Sequence, residues 1–347
     1  MIINVILPYK EIYNDKAAGA VSIFVSNIKK KSKFKKNIKI FGSSLIKKPI
    51  TDDYYGLKVN KPFYLYSKTL YYLGLINNNI INNNQSIIEI HNRPQAALYF
   101  IKKKPLCKKI LFFHNDPNLL RGSDNPHKKL NLLKELDKLI FVSEWCKRRF
   151  FENLNISSNN PKAIVISPGV NPIKKIPKKK KIITFAGKLN ESKGYNLFLD
   201  VIEKILKLNR DWRGIIIGDD PRPYKKIILE NLEYKGWITH SDTLKIFSQT
   251  SIAVIIPIWD EPFGRTALEA TSCGCATVLT KKGGIIETNS NGIFLKKIDS
   301  YNLFKEISHL ISNKKERRNL MIKNSKNFKT TLKRNVSLID EVYQELL

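Results

Sequence analysis

The chain has 347 residues, 42% of them hydrophobic, and a formal net charge of +31. That length allows two domains of ordinary size, and the apolar content excludes a disordered chain. The charge points to an anionic partner (nucleic acid, an anionic membrane surface or a phosphorylated ligand) or else to a general lysine bias, since lysines lie all along the chain beside abundant Asn and Ile. Cys107, Cys146, Cys273 and Cys275 have the spacing of neither a zinc site nor a disulfide framework, which fits a reducing, cytoplasmic setting. No basic segment precedes the apolar run at the N-terminus, so it reads as a strand rather than a signal peptide. No uninterrupted apolar stretch is long enough to span a membrane.

In chain order, Ile2 to Leu7 reads as a strand of a parallel sheet covered on both faces. A polar loop leads to Ala17-Ala18-Gly19-Ala20 and a helix patterned on Val21, Phe24, Val25 and Ile28. Gly19 sits where such a unit brings backbone close to a phosphate, or where the helix packs closely. Lys29 to Lys36 is a basic run, either a solvated helix end or a contact for anionic lipid headgroups. Strands are then expected at Ile87–His91, Lys109–Phe113, Leu139–Val142 and Ala163–Ile166, with helices opening at Pro94, Asn131 and Glu144. This β-α-β alternation predicts a doubly wound sheet, in which ligands bind at the carboxyl ends of strands. His91 and His114 fall at such ends.

Asn171 to Lys181 reads as a linker: two prolines, a charge run and no periodic apolar face. A second series follows, with strands at Ile182–Gly187, Gly214–Gly218, near Leu232–Trp237, Ile252–Pro257 and Ala276–Leu279. A long amphipathic helix ends at Leu208, a shorter one spans Asp242 to Phe247, and Tyr301 to Leu347 is largely helical. The fold class is α/β with two similar halves.

The densest chemistry lies in Asp260-Glu261-Pro262-Phe263-Gly264-Arg265-Thr266-Ala267-Leu268-Glu269-Ala270. It reads as strand, loop and helix, with one carboxylate on the loop and another inside the helix. Pro262 and Gly264 permit a tight turn, and the first N–H groups of the helix attract phosphate. Acids beside such a helix start suit the hydroxyls of a ribose or sugar instead. For Glu269 the alternative is an i,i+4 pair with Arg265 on a surface helix.

Gly187-Lys188-Leu189, Lys193-Gly194, Glu261-Pro262-Phe263-Gly264 and Glu269 together resemble glycosyltransferase family 4, and the resemblance covers nearly the whole chain. It implies the GT-B architecture: two Rossmann-like doubly wound domains facing a central cleft, with a C-terminal helix crossing back to the first. The domains would be 1–171, binding acceptor, and 172–330, binding the nucleotide-sugar donor, with 331–347 as the returning helix. The resemblance implies that Glu261 contacts the donor sugar and Glu269 the ribose, while Phe263, Gly264, Arg265 and Thr266 line the donor. Lys188 and Lys193 would neutralise the diphosphate; the family more often has Arg at the first position. Gly19 and Gly187 would approach the donor, and Trp237 and Ile238 would belong to the loop that reads the nucleobase, although Trp237 suits a core position equally.

His114 would lie near donor sugar and acceptor, making His114, Glu261, Lys188 and Lys193 the expected catalytic set. His91, Asn92, His114 and Asn115 are the weaker acceptor candidates, on a likeness to bacterial enzymes of cell-surface glycan and lipopolysaccharide synthesis. Neither metal nor other cofactor is expected, since Asp219-Asp220 beside Pro221 suits a turn. The expected partners are a nucleotide-sugar, with UDP favoured over GDP, a glycan or lipid-linked acceptor and an anionic membrane surface, and no nucleic acid. The implied reaction retains anomeric configuration. The implied place is the cytoplasm, with the inner membrane face as a peripheral site. A basic nucleic-acid-binding protein and a GDP-mannose-dependent mannosyltransferase are the alternatives. A nicotinamide-type oxidoreductase lacks its G-x-G-x-x-G after the first strand.

Overall fold

The computed structural model describes residues 1–43, 45–60, 67–173, 177–288, 291–326 and 328–346. The chain divides into two compact units, Met1–Gly169 with Leu332–Leu347, and Val170–Thr331.

The first unit is built on a parallel seven-stranded sheet in the order β3-β2-β1-β4-β5-β6-β7. The strands are β1 (Ile2–Ile6), β2 (Ile38–Gly42), β3 (Tyr54–Gly56), β4 (Ser86–His91), β5 (Lys108–Phe113), β6 (Lys138–Phe141) and β7 (Ala163–Val165). Its helices are α1 (Ala20–Lys31), α2 (Lys68–Asn77), α3 (Pro94–Lys103), α4 (Pro126–Glu135) and α5 (Glu144–Phe151). The central strands are buried along nearly their whole length, as continuous Ile/Phe runs require when helices cover both faces. Side-chain caps start several helices, Asn125 on α4 and Ser143 on α5 among them.

The second unit has a parallel six-stranded sheet in the order β10-β9-β8-β11-β12-β13. Its elements are β8 (Lys180–Ala186), α6 (Tyr195–Leu208), β9 (Arg213–Ile217), β10 (Leu232–Gly236), α7 (His240–Gln249), β11 (Thr250–Ile255), α8 (Arg265–Ser272), β12 (Ala276–Leu279) and β13 (Ile293–Phe294). The helices α9 (Ser300–Ser312) and α10 (Lys314–Lys326) complete it. In both sheets the chain runs outward to one edge, returns to the middle and continues the other way. The reversals fall between β1 and β4 and between β8 and β11.

The last helix, α11 (Leu332–Glu345), belongs to the first unit. Its buried stripe of Leu332, Val336, Ile339, Val342 and Tyr343 packs into the same core as Val21, Phe24, Val25 and Ile28 of α1. The spacing is that of one helical face, so this apolar stripe is what ties the end of the chain to its beginning.

Three sequence expectations change. β2, β3 and α2 were not foreseen: β3 is a three-residue edge strand, and β2 is a short run interrupted by Lys39. Part of the expected linker, residues 174–176, lies outside the described residues. The end of that charge run is not linker, because Lys180 and Lys181 open β8 and the Lys179 ammonium donates to Phe247 O at 2.8 Å and Cys273 O at 2.6 Å. Within Lys29–Lys36, Lys29 is buried, with its ammonium on Ile38 O at 2.9 Å and on Asp53 at 2.6 Å. It is an internal strut, while Lys30, Lys31, Lys33, Lys35 and Lys36 face solvent.

Candidate active site

The β8/β11 reversal gathers the second unit's charged residues. Gly187 follows β8, and its N–H donates to Ile217 O at 3.0 Å. Gly218, after β9, has φ +126°, and a Cβ on it would lie 1.9 Å from Gly187 O. The two strand ends therefore touch backbone to backbone, which only glycine allows. Beyond Gly187, exposed Lys188 leads into a short 3₁₀ turn, Glu191–Lys193. Asn190 starts that turn, its Oδ1 accepting from Lys193 N at 3.3 Å and Ser192 Oγ at 2.7 Å. Asp220 fixes Asn190 in turn, accepting from its Nδ2 at 2.7 Å. Hydrogen bonds from Arg222 and then from Asn190 hold the Asp220 carboxyl far below the usual carboxylate range.

The loop after β11 meets this turn. Ser192 O accepts from Ile258 N at 2.9 Å. Across the join, Lys193 Nζ lies 2.5 Å from Glu261 Oε2 and 4.9 Å above the centroid of the Trp259 ring. Trp259 Nε1 donates to the same carboxylate oxygen at 3.0 Å. Glu261 is clamped from behind, since Gly284 N donates to its carbonyl at 2.7 Å and a Cβ on Gly283 would lie 2.2 Å from that oxygen. Gly264, at φ +93°, starts α8 with no side-chain cap. Phe263 is buried and Thr266 half-buried at this start.

Glu269 sits one turn into α8 and is 5% exposed. Its Oε1 accepts from Arg265 Nε at 2.7 Å and from His240 Nε2 at 2.8 Å. Burial pushes this carboxyl up, but the Arg265 charge and the His240 contact outweigh it and the net shift is downward. The Arg265 pair weighed from sequence is therefore present, though buried rather than on the surface. His240 is the partner that sequence reasoning missed; it lies 29 residues away and opens α7 after the Thr239 cap. Trp237 is 54% exposed, which rules out the core alternative, and it follows Gly236 at φ +60°. Ile238 packs against the Phe247 cluster.

In the first unit, His114 follows β5 and is half-buried. Its Nε2 lies 2.9 Å from His91 Nδ1. His91 Nε2 lies 2.8 Å from Glu89 Oε1, and Tyr343 Oη donates to Glu89 Oε2 at 2.6 Å. His91 has 0% exposure, so it cannot touch an acceptor as the sequence suggested; it stands behind His114, packed on Phe112. Asn92 is likewise buried, and its Oδ1 accepts from the N–H groups of His114 and Asn115. It shapes the turn rather than facing a ligand, whereas Asn115 is exposed. At the start of α1 a Cβ on Gly19 would lie 2.6 Å from Glu11 Oε1, which accepts from Ser22 N at 3.2 Å. A carboxylate of the chain thus occupies the place the sequence offered to phosphate.

Residues 170–328 match the family model described as glycosyl transferases group 1. The second unit is a group 1 glycosyltransferase domain. The chain is 31% identical over 232 residues to an uncharacterized glycosyltransferase, MJ1178, of Methanocaldococcus jannaschii, covering 60% of each chain. It is 24% identical over 301 residues to the putative glycosyltransferase YtcC of Bacillus subtilis, covering 75% of this chain and 73% of that one. The match with MJ1178 thus spans under two thirds of that protein.

Among solved structures, Anabaena HepE in complex with UDP-glucose superposes with a TM-score of 0.74 at 14% identity, covering 99% of this chain and 100% of that one. A glycosyltransferase from Rickettsia africae gives 0.75 at 20% identity, covering 99% and 98%. The sucrose-phosphate synthase of Thermosynechococcus elongatus gives 0.75 at 13% identity with the same coverage. These likenesses show the fold, which is GT-B.

Within the group 1 domain, Gly187, Lys193, Glu261, Gly264 and Gly283 converge beyond the carboxyl ends of β8, β11 and β12. Lys188 adjoins them by sequence. Arg265 and Glu269 form a second cluster with His240. No group of acidic, His and Cys side chains that could hold a metal ion occurs among the described residues. No helix among them is long and apolar enough to cross a membrane.

Proposed function

We propose that the chain is a retaining glycosyltransferase of family 4. It would move a sugar from a nucleotide-sugar, UDP-linked in first place, to a glycan or glycolipid acceptor in cell-surface polysaccharide or lipopolysaccharide synthesis. The observation that carries this reading is the Lys193–Glu261 pair at the β8/β11 reversal, beside the uncapped start of α8. The donor diphosphate takes its neutralising charge from Lys188, Lys193 and the α8 donors, so no metal or cofactor is assigned a role. Lys193 leaves Glu261 for the phosphate, and the freed carboxylate accepts from sugar hydroxyls. As the glycosidic bond breaks, the same cations stabilise the departing nucleoside diphosphate. The acceptor hydroxyl attacks from the leaving-group side, which retains configuration, and His114 serves the acceptor side.

Glu269 serves the ribose, with Arg265 and His240 holding its carboxylate in place. Trp237, exposed beside Gly236, serves the nucleobase. The choice of uridine is supported by HepE, whose structures hold UDP and UDP-glucose. The exposed lysines at the end of α1 and the net charge of +31 support peripheral contact with an anionic membrane. Thermal denaturation of the full chain with a panel of UDP- and GDP-sugars tests the reading. A stabilisation of about 2–3 kcal/mol is expected at saturating UDP-sugar, followed by transfer of labelled sugar to a lipid-linked acceptor. No response to any nucleotide-sugar overturns it.

A further inference from the structure

We infer that Trp259 is a positioning residue: its indole N–H keeps hold of one oxygen of Glu261 when Lys193 lets go, so that the other oxygen is presented to a hydroxyl of the donor sugar. The role toward a sugar rests on the glycosyltransferase reading; the anchor does not. Trp259 and Glu261 lie two positions apart on the loop after β11. The backbone of that loop is tied down at both residues. Ser192 O accepts from Ile258 N at 2.9 Å and from Trp259 N at 3.4 Å, and Glu261 O accepts from Gly284 N at 2.7 Å. What remains to be fixed is the long Glu261 side chain. Two donors fix it, and both reach Oε2: Lys193 Nζ at 2.5 Å and Trp259 Nε1 at 3.0 Å. Among the described residues no hydrogen bond reaches Oε1, which is not one of the enclosed polar atoms. The side chain is 18% exposed. The open oxygen is therefore within reach of a ligand.

The two donors differ in kind. An ammonium is a point charge on a flexible stem, and in the proposed reaction it is drawn away to the diphosphate. An indole N–H has one hydrogen, no charge to offer phosphate and a rigid ring behind it. The same ring carries the Lys193 ammonium on its face, 4.9 Å from the centroid. Face and edge of one side chain thus serve Lys193 and Glu261 separately, and the edge contact survives when the face is vacated. Without it the freed carboxylate would spread over several rotamers, and every donor would have to order it again. With Oε2 held, Oε1 offers its lone pairs at one place. A sugar lacking the hydroxyl that belongs there leaves the held oxygen without a donor, which is how a polar site rejects an analogue. Trp259 acts in this way on the choice of sugar and not on the nucleotide.

The test has a ligand-free arm and a kinetic arm, both on the full chain. In ¹H–¹⁵N spectra the Trp259 indole signal, assigned by its loss in Trp259→Phe, should lie downfield as a carboxylate-bonded N–H. It should move upfield in Glu261→Ala and stay downfield in Lys193→Ala. An indole released in Lys193→Ala overturns the inference whatever the chain binds. The kinetic arm uses the UDP-sugar selected by thermal denaturation and its analogues that each lack one ring hydroxyl. Trp259→Phe keeps a ring beneath Lys193 and removes the N–H. Its kcat/KM should fall about tenfold, the scale of a hydrogen bond to a charged group, with the Kd for UDP unchanged within about twofold. One analogue should lose about tenfold or more in the wild type and little further in Trp259→Phe, because the two changes break the same arrangement. A merely structural role would lower kcat/KM for every analogue alike and weaken UDP as well, and that result overturns the inference. A retained indole contact in a chain that binds no nucleotide-sugar overturns the proposed function alone.

Discussion

His240 Nε2 and Glu269 Oε1 lie 2.8 Å apart at a carboxylate that is 5% exposed. Arg265 shares the same oxygen, so two donors converge on one acceptor inside the group 1 domain. Glu269→Ala would take a shared acceptor from the half-buried Arg265 guanidinium and His240 ring, and about 2 kcal/mol of stability should be lost. The same contact sets a pH dependence. The folded-state carboxyl titrates below its ordinary value of 4.5, so its contribution is complete above that pH and disappears as pH falls through the folded value. Acid denaturation followed by circular dichroism should therefore be steeper below pH 4.5 in the wild type than in Glu269→Gln. Parallel acid curves would disprove a stabilising role for this carboxylate.

Lys193 and Glu261 neutralise each other at 2.5 Å, with Trp259 beneath the ammonium and bonded to the carboxylate. On the proposed function, donor binding has to separate them, because one ammonium cannot serve a diphosphate and a carboxylate equally. Lys193→Ala should lower kcat/KM for a UDP-sugar by about 100-fold, the scale of one lost electrostatic contact in a transition state. Separation of the pair also changes what lies against Trp259. In a Trp237→Phe background, which silences the tryptophan assigned to the nucleobase, titration with UDP should alter tryptophan fluorescence, and Trp259→Phe should abolish most of that change. A full signal retained in Trp259→Phe would show that the pair does not open.

The part of the site legible in the sequence is the part made by local chemistry. Pro262 and Gly264 announce a turn, the run Ile252–Ile256 a buried strand, and Lys193-Gly194 a helix entry. What stayed hidden depends on residues that the fold alone brings together. His240 reaches Glu269, Asp220 orders Asn190, and Tyr343 reaches Glu89 across 254 positions of chain. Nothing in the residues near Glu89 marks it as a buried acid with two partners. The fold was legible where strands are long apolar runs and illegible at the sheet edge, where β3 needs only three residues.

The cysteines give an independent measure of packing. Cys107, Cys146, Cys273 and Cys275 are all buried with free thiols. Burial pushes the Cys275 thiol up to about 12, against the opposing Lys179 charge, and Cys273 also titrates above its ordinary value. Since the thiolate is the reactive form, labelling by a disulfide reagent at pH 8 should be negligible in the native protein and complete in denaturant. Fast native labelling of Cys273 or Cys275 would contradict the packing around α8.

Two glycines with left-handed backbone separate conformational cost from steric cost. At Gly236, φ is +60° and an added Cβ would meet nothing within 4 Å. Gly236→Ala should cost only the strain of that conformation, about 1 kcal/mol. At Gly218, φ is +126° and the Cβ would lie 1.9 Å from Gly187 O, so the strand ends must part. Gly218→Ala should cost about 3 kcal/mol or more, the upper range for overpacking. It should also displace the turn that carries Lys193, since Gly187 leads directly into it. Chemical denaturation should rank Gly218→Ala well below Gly236→Ala, and UDP-sugar affinity should fall only in the former. Equal stabilities would mean that β8 and β9 do not meet through these two glycines.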